Sequence, residues 1–441
     1  MKKIVTIAGS DSSGGAGIQA DLKAITLLGA FGMSVVTALT AQNTQGVFDV
    51  LPVPAEFVAA QWDAVASDIS VDAVKTGMLW DRDIITMVAA KLRKSSVPIK
   101  VLDPVMVAKS GSVLLRQDAI AAYIKELLPL ATIVTPNIPE ARMLSGRTIR
   151  TLEDVEKAAQ DIHGLGAHAV VVKGGHRRGD ATDILFDGKD IYHFPAPRMS
   201  TIHTHGTGCT FASALAVEVT RSESIPAAVE KAKKFITQAI SYSVPLGKGR
   251  GPTNPYAVLA RDAEIFRATQ SLQAAVHLLS QNPVGPLIPE VQSNLGFAIP
   301  SGRTAEDVVA FPGRIVRLRD SITTVAPAEP GASRHIAHII LTVMTFNEEY
   351  RSAMNIRYEK DILRRCRRQP WVVREFDRKD EPKQIKAAEG SSLEWGVSSV
   401  LKRTSRIPDV IIDGGDIGKE PMIRVLGKNP EEVVRKVLCL L

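Results

Sequence analysis

One pattern constrains this chain more than any other. Over roughly the first 255 residues, short apolar runs that read as strands alternate with amphipathic helical patterns. "KIVTIAG" leads into "AGIQADLKAITLLGA", "GMSVVTALTAQ" into "PAEFVAAQWDAVASDI", and "DAVKTGML" into "DRDIITMVAAKLRKS". "IKVLDPVM", "ATIVTPN" and "HAVVVKGG" are further apolar runs, each closed by polar or glycine punctuation. Such alternation predicts βαβ units, hence a mainly parallel sheet flanked by helices. Ligands of these sheets gather at the C-terminal ends of the strands. Gly9, Gln42, Gly77, Asp103, Asn137 and Lys173 all fall at or just past such ends, which predicts one shared cleft.

The alternation breaks where Pro and Gly cluster between Pro245 and Pro255. A boundary near residue 260 follows, with one domain over 1–258 and a second, separate α/β domain over 262–441. The second domain opens on the helical "RDAEIFRATQSLQAAVHLLSQ". It continues through strand-like "NLGFAI", "RIVRLRD", "SITTVA" and "WVVREFD", and helical "SRHIAHIILTVMTF" and "EKDILRRCRRQ". "PDVIIDGGD" and "MIRVLG" are its last strand-like runs, and "NPEEVVRKVLCLL" its last helix, with Pro430 in the first turn.

Composition narrows the function classes. Hydrophobic residues at 45% and charged residues at 23% suit a globular protein in water. A net charge of +7 over 441 residues is too mild to point to nucleic acid and suits phosphorylated small molecules. No run approaches the ~18 apolar residues needed to span a membrane. The apolar run Ile4–Ala8 is too short for a targeting segment and reads as a first strand. Cys209, Cys366 and Cys439 lie far apart, form no CxxC pair and predict a reducing cytoplasm.

Two glycine-rich stretches each precede a helical pattern. "GSDSSGGAGIQADL" lacks both the dinucleotide-binding glycine spacing and the phosphate-loop lysine. It reads either as a turn needing left-handed glycines or as a close backbone approach to a ligand, with Asp21 one turn inside. "THGTGCT" predicts a helix N-terminus where the N–H groups of Gly206, Thr207, Gly208 and Cys209 converge on an oxyanion. Cys209 is then either a proton acceptor whose thiolate the helix favours or a small buried residue. In "TPNIPEA", Asn137 and Glu140 share a helix face. Glu140 suits either the water shell of Mg²⁺ or the first turn of a helix; Asp103 in "VLDPV" is a second metal candidate. Lys173 ends an apolar strand, where a nucleotide phosphate is a plausible partner.

In the second domain, Ser333, Arg334 and His335 open a helix after Pro330 and Gly331, another N-terminus ready for an anion. His338 lies at i+3 from His335, but no third metal ligand is in sight. Arg351, Ser352, Asn355 and Arg357 share one stretch whose arginine forks suit phosphates, whereas Arg364, Arg365, Arg367 and Arg368 read equally as a solvated face. "IIDGGDIGKEP" is either a loop near a ligand or a tight turn.

"TIAGSDSSGGAGIQADLK", "TALTAQNTQGV", "KTGML", "LDPVMVAKSG", "TPNIPEA", "VVVKGGH", "THGTGCTFASALA" and "GKGRGP" together resemble the hydroxymethylpyrimidine/phosphomethylpyrimidine kinases of the ribokinase-like superfamily, over about 1–258. The resemblance implies a ribokinase-like fold, a homodimer, and two successive phosphorylations of a pyrimidine alcohol by ATP with Mg²⁺. It implies Gln42 as the pyrimidine-binding residue, with Gly9, Asp21, Met78 and Val105 nearby. It gives Gly206–Cys209 as the anion hole and Cys209 as the base. It places Asp103 and Glu140 near the metal, and Lys173 with Asn137 at the nucleotide. Pyridoxal is the rival substrate. "FPGRI", "SRHIAHIILTVM", "RSAMNIRY" and "PDVIIDGGDIGKEPMIRVLG" resemble the archaeal-type thiamine phosphate synthase domain, over about 262–441. That implies joining a pyrimidine diphosphate to hydroxyethylthiazole phosphate with release of pyrophosphate. Arg314 and His335 would stabilise the leaving group, and Arg351, Asn355 and Asp413 would contact substrate. A noncatalytic sensor of thiamine phosphates is the alternative for this domain.

Overall fold

The computed structural model describes residues 1–106, 117–176, 179–382, 391–416 and 420–441. The expectations resting on "VAKSG" and on the "IGK" of "DGGDIGKEP" lie largely outside them. The chain divides into two compact units, Met1–Leu259 and Ala260–Leu441.

The first unit runs β1 (Lys3–Asp11), α1 (Gly17–Leu27), β2 (Phe31–Asn43), β3 (Gly46–Pro52), α2 (Ala55–Ala66), β4 (Ala73–Thr76), α3 (Arg82–Lys94), β5 (Ile99–Leu102), α4 (Gln117–Ala122), β6 (Ile133–Val134), α5 (Ile138–Ser145), α6 (Leu152–Gly164) and β7 (Ala169–Val172). It closes with β8 (Asp183–Phe186), β9 (Ile191–Phe194), α7 (Thr207–Val219) and α8 (Ile225–Ser241). The nine strands form one sheet in the order β3-β2-β1-β4-β5-β6-β7-β8-β9. The pairs from β2 across to β7 are parallel, and the β2–β3, β7–β8 and β8–β9 pairs are antiparallel.

Strands of a sheet covered on both faces are apolar throughout, because successive side chains enter opposite cores. Ala169 and Val171 enter one core with Phe211 and Ala212 of α7, while Val170 and Val172 enter the other with Val155 and Ile162 of α6. This is why "HAVVVKGG" reads as an uninterrupted run. Parallel pairing sends the C-terminal ends of β1, β2, β4, β5, β6 and β7 to one rim, and the loops after them meet there. The hairpin partner β3, largely exposed, has no such signature and escapes the sequence reading.

A helix α9 (Tyr256–Ser280) starts directly after Pro255 and continues across residue 260, so the predicted boundary falls inside a helix rather than in a linker. The second unit then runs β10 (Leu295–Ala298), β11 (Val308–Ala310), β12 (Ile315–Leu318), β13 (Ser321–Thr324), β14 (Glu329–Pro330), α10 (Arg334–Met344), β15 (Ser352–Arg357) and α11 (Lys360–Arg368). It ends with β16 (Val373–Phe376), α12 (Ser391–Leu401), β17 (Val410–Asp413), β18 (Met422–Gly427) and α13 (Pro430–Leu438). Seven strands form a sheet in the order β14-β11-β10-β15-β18-β17-β16, and β12 pairs with β13 apart from it. The large sheet is antiparallel except for β16 on β17. Ile423 and Val425 of β18 face a core with α9 and α13, whereas Leu426 faces α10 and α12. Among the described residues no helix is long and apolar enough to cross a membrane.

Candidate active site

A cavity of about 160 Å³ opens at the strand-end rim of the first unit. Gly9, Gln42, Met78, Asp103, Val105, Asn137, Glu140, Lys173 and Gly206–Cys209 all line it, so residues spread over two hundred positions meet at one place. Asp21 does not line it, contrary to its expected place beside the substrate. Its fully buried carboxylate accepts Thr6 Oγ1 at 2.6 Å, Ser213 Oγ at 2.7 Å and Lys75 Nζ at 2.8 Å. A buried carboxylate needs such partners, and these leave it none for a ligand. Lys75, which does line the cavity, is the group Asp21 presents.

Geometry requires the first glycine of "THGTGC" and leaves little room at the second. Gly206 precedes α7 with φ of 73°, and a Cβ there would lie 1.8 Å from the Gly15 carbonyl oxygen. A Cβ on Gly208 would stand 3.3 Å from Lys173 Nζ. No side chain caps the first turn of α7, and no acid lies in it; the Thr207 N–H, one of the four expected donors, is taken by the Thr204 carbonyl at 3.4 Å, whereas Gly206, Gly208 and Cys209 line the cavity at the positive end of the helix dipole. That is an oxyanion hole in form. Lys173 Nζ, 2.6 Å from Asp103 Oδ1, adds a cation, and Thr135 Oγ1 donates to the same Asp103 oxygen at 3.1 Å.

Asn137 and Glu140 form a reciprocal cap at the start of α5. The Glu140 N–H donates to Asn137 Oδ1 at 3.0 Å, and the Asn137 N–H donates to Glu140 Oε2 at 2.8 Å. Glu140 thus fills its structural role and still faces the cavity. Burial, with Asp103 adding to it against Lys173, pushes its carboxyl up to about 7. A region where two carboxylates oppose each other with one lysine between them is short of positive charge. A hydrated Mg²⁺ fits that deficit, with Asp103 and Glu140 as the residues to hold it. Among the described residues no group of three or more metal-ligating side chains occurs.

The charge state expected of Cys209 is corrected by its surroundings. The helix N-terminus favours a thiolate, but burial pushes the thiol up to about 11. Lys75 and the Gly17 N–H pull the other way, and Asp21 and Asp103 oppose them. At neutral pH Cys209 is a protonated thiol.

The second unit brings only some of its expected residues together. Arg314 is exposed, adopts a left-handed φ of 71° after left-handed Gly313, and its Nη1 donates to the Val291 carbonyl. His335 is exposed in the first turn of α10. Partial desolvation on its protein-facing side, then Arg314, His338 and Arg424 nearby, lowers its pKa from the ordinary histidine value. That lowering disfavours the imidazolium, so the expected positive charge at His335 is weakened. Asn355 and Asp413 are not free for substrate. Asn355 Oδ1 accepts the Asn294 N–H at 2.7 Å, and its Nδ2 donates to the Gln292 carbonyl at 3.1 Å. Asp413 is fully buried between Arg378, bound through Nε at 2.8 Å and Nη2 at 2.6 Å, and Arg424 Nη2 at 3.0 Å. Arg351 lies elsewhere, 4.8 Å over the Phe297 ring and donating to the Ala298 carbonyl. His338 lies 3.7 Å from Glu394, and Arg364 and Arg367 pair with Asp361 and Glu375, in keeping with the solvated-face reading.

Residues 11–254 match the family model for phosphomethylpyrimidine kinase. The chain belongs to that family. As a phosphomethylpyrimidine kinase family member it is 48% identical over 257 residues to a hydroxymethylpyrimidine/phosphomethylpyrimidine kinase of Bacillus subtilis, covering 58% of this chain and 95% of that one. It is 53% identical over 252 residues to the thiamine biosynthesis bifunctional protein ThiED of Geobacter sulfurreducens. That match covers 57% of this chain and 51% of the relative, so the chain spans about half of that protein's length. Its fold resembles Bacillus subtilis pyridoxal kinase in an ADP complex, with a TM-score of 0.56 at 40% identity over 59% of this chain and 99% of that one. It also resembles phosphomethylpyrimidine kinase from Clostridium difficile, with a TM-score of 0.50 at 42% identity over 54% of this chain and 100% of that one. Residues 271–439 match the family model for thiamine-phosphate synthase ThiN.

At this cavity, sequence reasoning missed Lys75, Asp11 and His205, all of which line it. Lys75 carried a signal: a lysine inside an apolar strand needs a buried partner. Asp11 and His205 sit inside the two glycine-rich motifs, where their neighbours drew the attention. Only the fold shows that those motifs touch, with His205 Nε2 2.9 Å from Asp11 Oδ2.

Proposed function

We propose that the first unit phosphorylates 4-amino-5-hydroxymethyl-2-methylpyrimidine and then its monophosphate, using ATP and Mg²⁺. The second unit joins the resulting diphosphate to hydroxyethylthiazole phosphate, giving thiamine phosphate and pyrophosphate. One observation carries the kinase reading: the open N-terminus of α7, Lys173, the Asp103–Glu140 pair and the amide of Gln42 face a single cavity. The first three suit a transferring phosphoryl group, and the amide, both donor and acceptor, suits an aminopyrimidine edge.

In this reading Cys209 accepts the hydroxyl proton. It does so as the thiolate, the minority form near neutral pH that Lys75 and the Gly17 N–H favour, so transfer should quicken as pH rises; the phosphoryl transition state is loose, so the substrate proton leaves late. Lys173 and Asn137 hold the nucleotide phosphates, and Asp103 and Glu140 hold the metal, which would neutralise phosphate charge. In the second unit exposed Arg314 supplies positive charge, and His335 offers a hydrogen bond to the leaving group. The three cysteines are free thiols, which suits the cytoplasm. A homodimer, as the kinase resemblance implies, completes the reading.

The test is product analysis on the full chain with the pyrimidine alcohol, thiazole phosphate, ATP and Mg²⁺. Thiamine phosphate is the expected product. Diphosphate without thiamine phosphate would make the second unit a sensor. The likeness to pyridoxal kinases calls for pyridoxal as a competing substrate, and a higher kcat/KM for it would overturn the pyrimidine assignment.

A further inference from the structure

Gln42 faces the cavity between His205 and Thr40. As placed, its Nε2 lies 3.1 Å from His205 Nε2, and its Oε1 lies 3.3 Å from Thr40 Oγ1. Neither pairing has a proton in the right place. Despite burial, bonds from His205, Ser13 and Ala16 hold the Asp11 carboxyl down at about 2, so Asp11 is a carboxylate. It lies 2.9 Å from the same His205 nitrogen, which therefore carries the proton between them. A donating nitrogen can share that hydrogen only with an acceptor, so the Gln42 atom beside it is oxygen. Thr40 gives the same answer. Its single hydroxyl proton goes to the Ser10 carbonyl at 2.9 Å, leaving lone pairs toward Gln42, whose atom there is the NH₂ nitrogen. The two ends of an amide have the same shape and are told apart only by such counts.

We propose that the Asp11–His205 pair and Thr40 are positioning residues that hold the Gln42 amide with oxygen toward His205 and NH₂ toward Thr40, and so select an aminopyrimidine over its oxo counterpart. The backbone of Gln42 is fixed too. Ser12 Oγ donates to its carbonyl at 2.8 Å and accepts its N–H at 2.9 Å. A 4-aminopyrimidine edge offers a ring-nitrogen acceptor beside an amino donor, and the 4-oxo edge offers the reverse. An amide free to turn accepts both patterns, whereas a held one accepts one. The inference rests on the pyrimidine-kinase reading above.

The experiment compares kcat/KM for 4-amino- and 4-oxo-5-hydroxymethyl-2-methylpyrimidine on the full chain, for wild type, His205→Leu, His205→Gln and Thr40→Val. Wild type should prefer the amino compound by about 10²-fold or more, since a site built to hydrogen-bond rejects a mismatch strongly. His205→Leu and Thr40→Val should narrow that preference about tenfold, and His205→Gln, which keeps a donor, should restore it. A merely structural role lowers both substrates by one factor, and that result overturns the proposal. Thr40→Val, nearly isosteric, decides the matter if His205→Leu does not fold. A wild type that turns over neither pyrimidine overturns the kinase reading and this inference together, a result distinct from equal losses in the variants.

Discussion

Lys173 Nζ lies 2.6 Å from Asp103 Oδ1, and that pairing leaves Glu140 as the carboxylate without a full counter-charge. Despite burial, Asp103 and then Glu140 hold the Lys173 ammonium above its ordinary pKa. One cation thus serves two carboxylates in the cavity wall.

Glu140 therefore sets a pH dependence of stability. Its carboxyl is pushed up to about 7 from 4.5, so the fold favours the protonated form. The associated stability is full below about pH 4.5 and is lost as pH rises through about 7. Glu140→Gln keeps the helix cap and removes the charge. Its first-unit Tm should exceed wild type at pH 8 and match it at pH 4. Thermal scans at the two pH values check this, and a lower Tm at pH 8 would contradict it.

Cys209 should react slowly with iodoacetamide. A thiol near 11 rather than the usual value of about 8.5 carries roughly 10²-fold less thiolate at pH 7.5. Peptide mass spectrometry should show exposed Cys439 alkylated first, with the Cys209 rate rising about tenfold per pH unit up to pH 10. Lys75→Gln removes the cation that favours the thiolate and should slow Cys209 further.

The two glycines at α7 should fail differently. Gly206→Ala places a methyl 1.8 Å from the Gly15 oxygen at a left-handed φ, so the loop cannot form and the first unit should lose its cooperative melting. In Gly208→Ala the methyl stands 3.3 Å from Lys173 Nζ and 3.5 Å from Asp103 Oδ2, a tight fit that the fold can absorb. Its Tm should hold while kcat/KM for ATP falls about tenfold or more, because the methyl occupies the phosphate's approach. Calorimetry and initial rates on both variants distinguish the two outcomes.

Asp413→Asn should unfold the second unit early. Despite burial, Arg378 and Arg424 hold the Asp413 carboxyl below its ordinary value, so its stabilisation is present above that value and lost in acid. Arg424 is nearly fully buried, and its Nε and Nη1 find no partner among the described residues. Without Asp413 its whole charge is uncompensated, a change worth about 3–5 kcal/mol at pH 7. Chemical denaturation should show that loss in the second transition, with the kinase transition unmoved.

The parallel sheet was legible because its strands are buried on both faces and punctuated by polar ends, as "HAVVVKGG" shows. Gly9, Asp103 and Lys173 were readable as strand-end residues for the same reason. What the sequence hid is what depends on long-range pairing. Asp21 looked like a ligand contact beside a glycine loop, yet its partners Lys75 and Ser213 lie 54 and 192 residues away. The thiol of Cys209 looked activated from its helix position alone, and only burial around it reverses that. In the second unit β15 reads locally as an arginine-rich motif, although it is a central strand whose Asn355 ties down residues 292–294.

The central claim is that the cavity at the start of α7 transfers a phosphoryl group with Cys209 as proton acceptor. Its most direct test is the single-turnover rate of Cys209→Ala with ATP, Mg²⁺ and the pyrimidine alcohol, alongside calorimetric binding of the pyrimidine. The account predicts intact binding and a transfer rate lower by about 10²-fold or more, with the wild-type rise of rate with pH abolished. Near-normal transfer with that pH dependence unchanged would contradict it.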